Sequence, residues 1–170
     1  MSALEIVRQV RRHLEESGRL SMIRREFALD DDTLAEVVAL AEAHLVLGEH
    51  TEALATAREA IDLGRVGGSR YVEAEAQLTL AGALLATDGL VPRAEIEAAL
   101  GRAEQLVESI AGRALSPRIV EKRARLAAAL GDEPAADQAL RQSLDLYRAI
   151  GAAGHGARLE QELGASSRPA

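Results

Sequence analysis

A chain of 170 residues, 48% of them hydrophobic and 28% charged, has room for one sizeable core. It contains no cysteine, which excludes disulfides, thiolate metal sites and cysteine nucleophiles, and its formal charge of -7 argues against broad binding to a phosphate backbone. The apolar fraction is mostly Ala, Leu and Val, with Phe27, Tyr71 and Tyr147 the only aromatics, and such small side chains favour helices packed closely on helices.

Leu4, Val7, Val10 and Leu14 follow helical spacing up to a stop at Gly18, so a first helix is predicted over about 3–17. Charged residues interrupt this stretch, which therefore reads as neither signal peptide nor membrane span, and a cytoplasmic protein is expected. Ser21 caps a short second helix through Phe27 and Leu29. Charge is uneven here: residues 1–26 hold Arg8, Arg11, Arg12, Arg19, Arg24 and Arg25, whereas 27–64 are rich in acids and carry only Arg58. Asp30, Asp31 and Asp32 place negative charge before the next helix, and Thr33 with Glu36 has capping-box spacing.

From there helices are predicted in pairs joined by short glycine-containing turns: 33–47 with 50–64, 70–87 with 92–111, and 117–130 with 133–150, followed by a last helix over about 155–163. No segment sustains a period of two, so no sheet is expected. Gly48, Ala53, Ala57 and Ala60 recur at the same intervals as Gly131, Ala136, Leu140 and Ser143, and Ala99, Ala103 and Leu106 fit once an insertion around Gly89–Glu95 is allowed. Small residues at Ala53, Ala99 and Ala136 should face Ala41, Ala81 and Ala124 on the preceding helix, where a larger side chain would cost about 1–3 kcal/mol by overpacking. Each hairpin leaves an apolar face that only its neighbour can cover.

At these residues, over about 34–152, the chain resembles the tetratricopeptide repeat. Its aromatic signatures are missing, and His44, Leu84 and Ala127 stand where a tyrosine is usual. The run from Ala99 to Gly164 also looks like the C-terminal repeat region of large bacterial proteins that join a nucleotide cyclase, a P-loop ATPase and a helical tail. Gly18 to Leu34 likewise looks like an N-terminal segment of some of them. The resemblance implies an all-α fold, a right-handed superhelix of about three antiparallel hairpins with N-terminal helices and a C-terminal capping helix. Its parts would be an N-terminal extension over 1–32, a repeat domain over 33–164 and a flexible tail over 165–170.

No catalytic residue, metal ligand or cofactor site is expected. The only lysine, Lys122, stands between Glu121 and Arg123 with no glycine-rich loop before it, so phosphate binding of the P-loop kind is excluded. His44 and His50 near Glu42 and Glu49 read as solvated residues around a turn rather than a ligand set. Glu121 with Arg125 reads as a solvated i,i+4 pair. Residues 20–40 have the length of a helix-turn-helix, which gives the alternative of a DNA-binding regulator with the repeats as sensor or dimerisation unit. Asp30, Asp31, Asp32 and Glu36 on the recognition element would repel phosphates, so nucleic acid is disfavoured.

In the repeat fold the first helix of each pair lines the concave side. By repeat position the resemblance places Glu42 and Leu45, then Glu75, Leu78 and Leu85, then Arg118, Glu121 and Arg125 in that groove. The expected function is therefore a non-catalytic scaffold binding a protein or peptide segment, with a homodimer through exposed Leu and Val as a further partner class and no membrane association.

Overall fold

The computed structural model describes residues 31–87 and 92–166, with side chains to Gly164. Helices expected over 3–17 and 21–29, and with the second of them the first part of the helix-turn-helix expected over 20–40, lie outside them, as do the core of the insertion around Gly89 and the end of the tail. Among the described residues the fold is all-α, without a strand. The helices are α1 (Asp31–Val46), α2 (His50–Gly67), α3 (Arg70–Ala86), α4 (Arg93–Ser109), α5 (Ser116–Ala129), α6 (Glu133–Ala149) and α7 (Ala153–Ser166). None is long and apolar enough to cross a membrane.

Consecutive helices pack against one another; α1 also touches α3, and α3 touches α5. The recurring alanines carry this arrangement. Ala53, Ala99 and Ala136 are buried on α2, α4 and α6, and so are Ala41, Ala81 and Ala124 on α1, α3 and α5. Larger residues fill the space between pairs: Leu34, Leu78, Ile96 and Leu100 are almost completely enclosed, each worth about 1.5–3 kcal/mol of burial. Two apolar clusters result. The main one runs from Leu34 of α1 to Leu126 of α5. A smaller one gathers Ala124, Leu140, Leu144, Tyr147, Leu159 and Leu163 from α5, α6 and α7.

Five of the helix ends share one closure. At the end of α2, Ser69 N–H donates to Gly64 O and Gly68 N–H to Arg65 O, with Gly68 in the left-handed region at φ 71. The same pair of bonds recurs with Gly48, Gly131 and Gly151 at positive φ. After α4 it is made by Ala111 at φ 51, so α4 stops at Ser109 rather than running to 111. α2 in turn outlasts its expected end at 64: Gly64 is buried inside the helix, and Gly68 is the residue that turns the chain. Helix is already formed at Asp31, which puts Thr33 inside α1 rather than at its cap. α6 has the side-chain cap that α1 was expected to have, with Ala135 N–H donating to Asp132 Oδ1 at 3.1 Å and Pro134 in the first turn. α7 extends through Ser166, beyond the expected tail boundary at 165.

Candidate functional site

One side of α5 carries Arg118, Glu121, Lys122 and Arg125, a spacing of three and four that keeps all four side chains on one face. Because α5 packs beside α3 and receives polar contacts from α1 and α7, this face becomes a seam joining four helices.

At one end, Arg118 spans two helices. Its Nη2 donates to Glu42 Oε1 of α1 at 2.5 Å and its Nη1 to Glu75 Oε1 of α3 at 3.2 Å. Thr79 adds a long hydrogen bond to Glu42 at 3.4 Å. Burial acts to lower the Arg118 pKa, but the two carboxylates outweigh it and hold the guanidinium firmly charged. Glu75 goes the other way: burial pushes its carboxyl above the ordinary value, Glu42 pushes it further, and Arg118 only partly offsets them.

At the other end, Glu121 accepts from Arg158 Nη2 at 2.8 Å and from Tyr147 Oη at 3.1 Å, with Arg125 3.5 Å away. Burial acts to raise its pKa, and the hydrogen bonds with the arginine charges win and hold it low. Arg125 makes a two-pronged pair with Glu162 of α7, Nη2 to Oε2 at 2.7 Å. Tyr147, buried and beside Glu121, has its phenol pushed up to about 12, and its ring stacks on His155 with centroids 4.8 Å apart.

Between the two ends lies Lys122. A Cβ built on Gly82 of α3 would sit 2.7 Å from its Nζ and 3.2 Å from Leu45 Cδ2, so the ammonium occupies the space that the glycine leaves. Lys122 has no ion pair among the described residues. Burial lowers its pKa, Arg118 and Arg125 lower it further, and Glu121 and Glu42 oppose them without restoring the ordinary value.

The structure therefore gathers Glu42, Glu75 and Arg118 into one cluster and Glu121 with Arg125 into another, with Leu45 beside Gly82. Leu85 packs on the margin of the main cluster. Leu78 is a correction: it is 0% exposed, on a helix packed against α1, α2, α4 and α5, and lines no surface. Glu121 with Arg125 is a second correction, since Glu121 is only 16% exposed and α7 supplies it with a further cation, so the pair is not simply solvated. His44 pairs with Glu49 at 2.5 Å, and no three metal-binding side chains converge among the described residues. The sequence reading missed Gly82, Lys122, Tyr147, Arg158 and Glu162. The signal for Lys122 was present in its place in the 118, 121, 122, 125 spacing.

In comparisons with known proteins, no family model matches the chain and no curated protein is significantly similar to it.

Proposed function

We propose that the chain is a non-catalytic, tetratricopeptide-type scaffold of the bacterial cytoplasm, its hairpins wound as a right-handed superhelix that takes a protein segment along the seam of α1, α3, α5 and α7. The recurring buried alanine pairs support the repeat reading. The observation that carries the binding reading is Lys122: an ammonium set between paired arginines, held partly out of water and without a paired carboxylate among the described residues. A partner's acidic group or backbone carbonyl reaching Nζ would supply what the fold withholds. Glu42, Leu45 and Glu75 on one flank and Arg125 on the other would fix the direction of the bound segment.

The test is affinity capture from native cells with the wild-type chain and with Lys122→Glu, followed by titration of the captured protein's binding segment against both purified forms. Reversing the charge should weaken that segment's binding at least ten-fold while the circular dichroism spectrum stays helical. Equal affinity for both forms would remove Lys122, and with it this seam, from the binding surface.

A further inference from the structure

A second polar site lies at the junction of α2, α3 and α4, made of residues that the seam does not use. An open cavity of about 560 Å3 is lined there by Arg65, Arg70, Glu73, Arg102, Gln105 and Ser109 among others. Three guanidinium groups thus face a single carboxylate, an excess of two positive charges in a chain whose formal charge is -7.

The local packing explains how they come together. Gly64 is buried against α3, and a Cβ there would lie 2.9 Å from Glu73 N. That close approach sets Arg65, the next residue of α2, beside Glu73. Glu73 is itself only 4% exposed, and it holds two arginines at once: Arg65 Nε at 3.0 Å, Arg102 Nε at 3.0 Å and Arg102 Nη2 at 3.2 Å. Burial acts to raise the Glu73 pKa, but the hydrogen bonds and charges of Arg102 and Arg65 outweigh it, so the anchor remains a carboxylate.

These bonds leave both outer nitrogens of Arg65 and Nη1 of Arg102 uncommitted to Glu73. Among the described residues, Arg65 has only one further approach, 3.8 Å to the exposed Asp62, Arg102 has no other acceptor, and Arg70 has none. A buried carboxylate that orients two arginines, beside a third arginine with no acceptor among the described residues, is a cradle for a planar or tetrahedral oxyanion. A phosphate monoester carries about -1.5 to -2 charges at neutral pH, matching the excess. A carboxylate would match only half of it, and a nucleic-acid backbone needs an extended basic surface rather than one cavity in an acidic chain.

We propose that this cavity is a binding site for a phosphate monoester, held by Arg65, Arg70 and Arg102 with Glu73 as the residue that positions two of them. The monoester belongs either to a small molecule or to a phosphorylated side chain of a peptide.

Titration of the 15N-labelled full chain at low salt with inorganic phosphate, phenyl phosphate, and a phosphoserine peptide beside its unphosphorylated form tests the site. The expected result is saturable shifts at the amides of Arg70, Gln105 and Ser109, at least ten-fold weaker binding in Arg70→Gln, and weaker binding as salt rises. Arg70 is exposed and holds no other residue in place, so this variant keeps the fold. Phosphopeptide affinity at least ten-fold above that of phenyl phosphate would assign the monoester to a peptide; equal affinities would assign it to a small molecule. Shifts spread over unrelated arginines such as Arg141 and Arg148, no saturation, or an Arg70→Gln variant that binds as tightly as wild type would each overturn the site.

Discussion

Lys122 rests on Gly82: the ammonium of the only lysine in the chain fills the gap left by a missing Cβ on the neighbouring helix. Alanine at 82 would come within 2.7 Å of Nζ, but Nζ ends a flexible side chain and can swing away. Ala also gains up to about 1 kcal/mol over Gly in a helix interior. Gly82→Ala is therefore expected to stay within about 1 kcal/mol of wild type. It should also expose the amine, which is read as faster labelling of Lys122 by an amine-reactive ester in mass spectrometry. Unchanged labelling would mean that the glycine does not shelter the ammonium.

Burial with no ion pair among the described residues makes Lys122 a burden to folding at neutral pH. Its folded pKa lies below the ordinary value, so the unfolded chain binds the proton more readily, and the penalty fades as pH rises through the folded value toward the ordinary one. Lys122→Met should raise Tm at pH 7, by about 2–4 °C for each kcal/mol relieved, and the gain should shrink toward pH 10. A gain that stays constant with pH in thermal melts would assign it to packing instead.

Gly64 and Ala111 call for opposite substitutions. At Gly64 an added Cβ meets the Glu73 backbone at 2.9 Å, and backbone cannot swing aside, so Gly64→Ala should destabilise by about 1–3 kcal/mol. Ala111→Gly should do the opposite. It relieves a left-handed alanine at φ 51 and is expected to stabilise by up to about 1–2 kcal/mol, less what glycine loses in chain entropy. Chemical denaturation of the two variants checks both directions at once.

Ser143 is 0% exposed on α6, and its Oγ donates to Pro117 O at 2.9 Å. Ser143→Ala fits the space and removes only an added donor, since Pro117 O lies within α5 and faces a helical N–H, so the cost should be about 0.5–1.5 kcal/mol. Urea unfolding that shows no loss would mean that water replaces the hydroxyl.

Acid should weaken the fold. Glu73, Glu121 and Glu162 all lie below the ordinary carboxylate value: burial opposes the arginine hydrogen bonds at Glu73 and Glu121 and loses, and the Arg125 hydrogen bond leads at Glu162. As pH falls, the unfolded chain takes up protons first. Their stabilisation is thus present above the ordinary value and is lost as pH falls through the folded ones. Glu75, raised by burial, acts in the reverse sense: its contribution is full below the ordinary value and is lost as pH rises through the raised folded one. With three groups against one, Tm should fall between pH 7 and about pH 3, and Glu162→Gln should make that fall smaller.

Much of the packing could be read from the chain itself, because it follows local periodicity. The equal intervals from Gly48 to Ala60 and from Gly131 to Ser143 marked the small residues that turn out buried. Helix ends were harder, since Gly64 and Gly68 are both plausible stops and only the approach of α3 decides between them. The polar sites were hardest. Arg118 and Glu42 are 76 residues apart, and Arg65, Arg70 and Arg102 meet only because three helices converge, so neither grouping has a local spacing to betray it. In the sequence Lys122 could be weighed only as the lysine of a P-loop that is not there; its place opposite Gly82 depends on how α3 and α5 pack.

The division of the apolar interior into a large and a small cluster sets an order of opening. α7 is tied down by Leu159 and Leu163 in the small cluster and by its arginine and glutamate links to α5, with none of its side chains in the large one. The C-terminal end can therefore fray and reclose while α1 to α4 stay assembled, and its amides should exchange with solvent long before those of α3. Each such excursion releases Glu121 and Arg125 from their tethers, so the charges that a visitor would encounter at that end of the molecule alternate between two patterns.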